Sequence, residues 1–175
     1  MYSSAYVWAK VLGHMEARLT PQVVSTWFDD TEILELTDNQ LVLYSPSSFR
    51  KDIILRRCQG YIKEAMQEIF QMDVTVTVLD ETEIDAVLLG QPTVQPDTVQ
   101  QIILEQAQAF ANDLLSDLRE RKLELKSGHI VFSGGGALLL RRQIEASGKV
   151  VHPVFIDDVA ANVRGFQLLY QAERI

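Results

Sequence analysis

The segment Ser133-Gly134-Gly135-Gly136-Ala137 has the residue types that could hold a small molecule. Glycines between a strand and a helix let backbone amides approach a phosphate or a ribose, and the positive end of the helix adds to the attraction. No lysine follows, so this is not the phosphate loop of a nucleotide hydrolase, and the Gly-x-Gly-x-x-Gly dinucleotide pattern is absent too. Asp157-Asp158 could ligate a divalent cation, although a helix N-cap explains the same pair. Cys58 follows Arg57, and a neighbouring cation favours a thiolate. No histidine is close in sequence, however, and a single cysteine inside a helical pattern reads as structural. His14, His129 and His152 are widely separated, so no metal site is expected. Neither a nucleophile elbow nor a zinc-protease helix occurs. The expectation is a non-enzyme with no catalytic residue, no metal and no cofactor.

Residues suited to binding other macromolecules stand out more clearly. Trp8 lies on a stripe with Val11, Leu12 and Met15, which serves either core packing or partner docking, since tryptophan offers large contact area at low entropy cost. Trp27 and Phe28 are adjacent and cannot share one helical face, so one faces the core and the other a groove. Phe49 opens a long helix, where it either anchors the chain's entry or stays exposed. Arg50, Lys51, Arg56 and Arg57 gather four of the seven positive charges of residues 1–80. Such a group touches a phosphate backbone or an acidic protein surface, or forms a solvated helix face.

Charge and composition bound these readings. Lys and Arg number 16 against 24 Asp and Glu, a formal net charge of -8. An acidic surface repels phosphate backbones, which argues against a protein that coats nucleic acid. The chain's 175 residues are 47% hydrophobic, enough for one domain or two small ones. A single cysteine excludes an internal disulfide and points to a reducing compartment, so a cytoplasmic location is expected. No apolar run approaches membrane-spanning length, and the first residues lack a secretion signal, so no membrane partner is expected.

The elements that position these residues follow from periodicity. Val7, Trp8, Val11, Leu12, Met15 and Leu19 recur at helical steps. Thr20 and Pro21 then supply an N-cap and a first-turn proline for a second helix carrying Val23, Val24, Trp27 and Phe28. Two alternating runs around Asp38-Asn39 predict a hairpin. Ser47 or Ser48 caps a long helix reaching about Phe70, and residues 74–79 predict a strand. The order helix-helix-strand-strand-helix-strand makes residues 1–80 a small α+β domain. Residues 81–97, with two prolines and a glycine, read as a linker, with a strand at Val87 to Leu89 as an alternative. Residues 98–175 read as a helix to Leu123, a strand at His129 to Phe132, a helix at Ala137 to Ala146, a strand at Val150 to Ile156 and a last helix at Asp158 to Ala172. Two strand-to-helix units predict a partial α/β subdomain with a parallel sheet.

Residues 5–79 resemble the N-terminal domain of the bacterial chromosomal replication initiator DnaA. The resemblance rests on Trp8 to Leu12, Thr26-Trp27-Phe28, Leu41-Val42-Leu43-Tyr44, Pro46-Ser47-Ser48-Phe49, Ile69-Phe70 and the strand from Val74 to Leu79. It implies a KH-like module that recruits partners without doing chemistry. Trp8 with Leu12 would support self-association as a homodimer. Phe49 would contact the replicative helicase, and the surface around Val23, Val24 and Trp27 would meet the helicase or an initiation regulator. Arg50, Lys51 and Arg57 would allow weak single-stranded DNA contact.

Residues 99–172 resemble the C-terminal part of an actin-like ATPase of the plasmid-segregation type. The shared pattern is Ile130-Val131-Phe132-Ser133-Gly134-Gly135-Gly136-Ala137, then Asp157-Asp158, then Ala161-Asn162-Val163-Arg164-Gly165-Phe166. That resemblance implies that Gly134, Gly135, Gly136 and Ala137 flank a nucleotide in the parent fold and are vestigial here. It also implies that the last helix packs into the same subdomain. The acids that position magnesium and water are missing, so no ATPase activity is expected. The function expected is thus a replication-initiation interaction module, with a nucleotide-binding actin-like segregation protein as the alternative.

Overall fold

The computed structural model describes residues 2–172. The chain divides into two compact units. The first holds the chain up to Val87 together with Gln91–Ile103, and the second holds Leu88–Gly90 and the chain from Leu104 onward.

The first unit is a small mixed α+β domain. Helix α1 (Ser4–Glu16) starts where the Ser3 hydroxyl accepts from the Tyr6 amide, and α2 (Pro21–Phe28) where Thr20 accepts from Val23. Strands β1 (Glu32–Leu36) and β2 (Gln40–Ser45) pair antiparallel, with a register shift between Ile33 and Glu35. Helix α3 (Ser48–Ile53), a π-helical turn (Ile54–Cys58) and α4 (Gln59–Phe70) follow one another without a break, so the expected long helix capped by Ser47 is present with one π turn inside it. The reason is spacing. Ile54, Cys58 and Ile62 recur every four residues and overrun the about 3.6-residue α turn, and the wider π turn keeps all three on the buried face.

Strand β3 (Thr75–Asp80) then pairs parallel with β2, Leu41 opposite Val76 and Leu43 opposite Val78, giving the sheet order β1-β2-β3. Central β2 is buried on both faces, with Leu41, Val42 and Leu43 all sealed. Helix α1 packs on α4 and β1, and its Val7, Trp8, Val11 and Met15 enter a core with Phe28, Ile62 and Met66. Beyond the end of α1, Arg18 pairs with Glu64 and Glu68 of α4, and His14 lies 3.3 Å from Glu68.

The expected linker is largely helical. α5 (Glu81–Leu89) begins as soon as β3 ends, because Asp80 and Glu83 form a reciprocal cap. The Glu83 amide donates to Asp80 Oδ1 at 3.1 Å, and the Asp80 amide donates to Glu83 Oε2 at 3.0 Å. The alternative of a strand at Val87 to Leu89 is overturned by this helix.

From Leu104 onward, α6 (Asp97–Glu120) belongs to the second unit and contributes Ala111 and Leu115 to a small core with Leu125, Ile144 and Val150. Strands β4 (Ile130–Phe132) and β5 (Pro153–Phe155) form a two-stranded parallel sheet in which Ile130 faces Pro153. Pro153 opens its strand, where its missing N–H costs least. Phe132 and Phe155 stack at 5.1 Å on the covered side. The helix expected from Ala137 to Ala146 divides at Leu140 into α7 (Gly135–Leu139) and α8 (Arg141–Ala146). Lys149 Nζ donates to Asn112 O at 2.9 Å and to Ser116 Oγ at 3.1 Å, fixing the loop after α8 to α6. The last helix, α9 (Ala161–Ala172), has no buried residue, and Phe166 is 72% exposed. The expectation that it packs into its subdomain is therefore not met. Two three-residue strands present too small a face to cover it.

Candidate protein-interaction surface

One exposed aromatic group of the first unit lies where α2 meets the start of α3. Positions 24 and 28 of α2, one turn apart, point inward, which turns Trp27 to the rim. Ser47 caps α3 by accepting from the Arg50 amide at 3.2 Å, and this places Phe49 in the first helical turn. The two rings meet edge to face with centroids 5.9 Å apart. Phe49 is 66% exposed, Trp27 is half-buried, and Val23 is exposed on the same helix. Arg50 Nη1 donates to the carbonyl of Asp29 at 2.7 Å, tying the end of α2 to the head of α3. A shallow depression of about 330 Å³, lined by Ser48, Phe49, Lys51, Asp52 and Asp80, borders the patch. A rigid aromatic pair on a fixed backbone loses little entropy on association.

Two residues expected in that role belong to the core instead. Trp8 is 7% exposed and packs edge-on against Phe28 at 5.9 Å, and Val24 is 3% exposed. Helical periodicity identifies the apolar stripe, but the sheet beneath decides that both side chains are covered. Trp8 nevertheless lines, with Ala5, Ala9, Leu12 and Ile33, an apolar groove of about 500 Å³ between α1 and β1, with Ser4 and Glu32 also in its wall. Leu12 is half-buried there, and the Trp8 Nε1–H is buried without an acceptor.

The cations do not form one strip. Arg50 is held by Asp29, and Lys51 pairs with Glu83 and lies 3.8 Å from Asp80. Gln95 Nε2 completes this network by donating to Glu83 Oε1 at 2.8 Å. Burial raises the Glu83 carboxyl, but the bonds from Lys51, the Asp80 amide and Gln95 outweigh it and hold the group below the usual carboxylate range. Arg56 pairs with Asp52 at 3.6 Å, and Arg57 is exposed. The polar network was missed in the sequence, although the Asp80-x-x-Glu83 spacing is a capping signal. Cys58 is buried, and desolvation pushes its thiol up despite the opposing Arg57 charge, which suits a packed side chain.

The glycine segment lies in the second unit. Gly134 has φ 97°, the conformation that favours glycine, and α7 begins one residue later with only five residues. Ser133 Oγ donates to Asn162 Oδ1 at 2.7 Å. Gly135, Gly136 and Ala137 form the first residues of α7. Asp157 pairs with Arg141 at 3.1 Å, and Asp158 accepts from the Ala160 amide at 2.9 Å and pairs with Arg164. Both acids are thus taken up by ion pairs, and the one side-chain bond near the helix start, from the Ala160 amide to Asp158, precedes the first residue of α9 rather than capping it. Among the described residues, no group of three or more His, Cys, Asp or Glu side chains could hold a metal ion. No described helix is long and apolar enough to cross a membrane.

Residues 5–68, from α1 through most of α4, match the DnaA N-terminal domain family.

Proposed function

We propose that the chain acts as a protein-interaction module of the replication-initiation type, recruiting the replicative helicase or an initiation regulator without catalysing a reaction. The single observation that carries this reading is the Trp27–Phe49 pair: an exposed phenylalanine braced edge to face by a half-buried tryptophan at the α2–α3 corner. Val23 extends the docking face. Self-association runs through the groove beside Trp8 and Leu12, with Trp8 forming its wall rather than projecting from it. Single-stranded DNA contact is a minor activity centred on Arg57, since Arg50 and Lys51 already have intramolecular partners.

Capture of the cognate replicative helicase by the full chain tests the proposal. Phe49→Ala should weaken capture by about 2 kcal/mol, or about thirtyfold in Kd, as expected for a central aromatic anchor. Equal capture by wild type and variant removes Phe49 from the site, and no capture by either removes the helicase.

A second reading concerns the second unit as an actin-like segregation subdomain retaining nucleotide affinity. It is favoured by the Ser133–Asn162 hydrogen bond, which links the two motifs on which that resemblance rests. Protection of the Gly134 to Ala137 amides from exchange by magnesium and ATP would support it, and unchanged exchange at millimolar nucleotide would dismiss it.

A further inference from the structure

We propose that His129 and His152 form a two-imidazole site for a divalent transition cation of the zinc, nickel or copper class, which clips β4 to β5. The residues are far apart in sequence, but the parallel register sets Ile130 opposite Pro153, so the positions just before them are neighbours. The Ile130 amide donates to the carbonyl of His152 at 3.1 Å, which fixes the two backbones together. The ring centroids lie 5.4 Å apart with the planes tilted by 42°, and both residues are exposed.

That spacing suits a shared ion. With metal–nitrogen bonds of about 2.0–2.1 Å, two imidazoles on a tetrahedral centre hold their ring centroids about 5 Å apart. Imidazole nitrogen selects zinc, copper and nickel over magnesium and calcium, which prefer oxygen. Water fills the other positions. The third histidine is different, since His14 is half-buried and paired with Glu68. The clip has a structural consequence, because a sheet of two three-residue strands is marginal alone and a ligand bound only by the folded form stabilises it.

Nickel(II) titration of the tag-free full chain, followed by NMR of the histidine side chains, tests the site. Substoichiometric nickel should broaden the His129 and His152 signals before those of His14. Zinc should slow hydrogen exchange at the Ile130 amide. His129→Ala and His152→Ala should each weaken nickel binding by at least about tenfold, because each removes one arm of a chelate, while His14→Ala leaves it unchanged. His152→Gln, which keeps a polar side chain, carries the same test if an alanine variant loses its fold. Simultaneous broadening of all three histidines, wild-type affinity in the His129 or His152 variants, or an Ile130 amide indifferent to zinc overturns the proposal.

Discussion

The two units handle their apolar residues in opposite ways. In the first, a three-stranded sheet has a sealed central strand and helices whose inward positions are almost all covered. In the second, each strand buries two of three residues only partly, Val131 is 58% exposed, and α9 has no buried residue. The difference teaches how to weigh exposure. In the first unit the open ring of Phe49 is held edge to face by Trp27 on a packed core, which supports the proposed docking role. In the second unit exposure is general, because parallel strands need cover on both faces and this sheet has too few. No one exposed side chain there carries the same message.

Substitutions in either unit put that contrast to the test. Phe28→Ala removes a ring from the core beneath Trp8 and should cost about 3–5 kcal/mol, read from urea unfolding at amide signals of the first unit. A loss below 1.5 kcal/mol, well under that about 3–5 kcal/mol range, would mean the first core is as loosely packed as the second. Lys51→Ala leaves Glu83 and Asp80 facing each other without their cation. It should cost about 1–2 kcal/mol, since Asp80 is buried while Glu83 keeps some solvent contact.

The same network sets a pH dependence. The carboxyl of Glu83 titrates below its ordinary value when folded, so its contribution is present above the unfolded Glu pKa of about 4.3 and is lost as pH falls through the folded value. The stability gap between wild type and Glu83→Gln should thus shrink between about pH 7 and about pH 3, and a gap that widens would contradict the assignment. Ser47→Ala should remove about 1 kcal/mol by uncapping α3, and the ring-current shifts between Trp27 and Phe49 should collapse with it. Val131→Thr, at an open strand position, should change stability by no more than about 0.5 kcal/mol in thermal unfolding.

Local chemistry was legible in the residues, and tertiary cover was not. Thr20-Pro21 and Ser47 announce their helices because a cap needs only a side-chain oxygen and the amide three residues on. The hairpin around Asp38-Asn39 and the alternating strand before Asp80 were legible for the same reason. The segment after Asp80 was misread because its prolines and glycine outweighed the Asp80–Glu83 cap that starts α5. Trp8 and Val24 lie on visible apolar stripes, but a stripe does not say whether a second layer covers it. The π turn depends on steps of four residues being held against one sheet, and the meeting of His129 with His152 depends on strand register. Neither constraint exists until the chain has folded.

Hydrogen exchange of the full chain with and without saturating replicative helicase tests the central claim most directly. New protection is expected in residues 21–28 and 48–53, the two segments that carry Trp27 and Phe49, with α9 unchanged. Protection confined to α9 or to the glycine segment, with the aromatic corner exchanging as before, would contradict it.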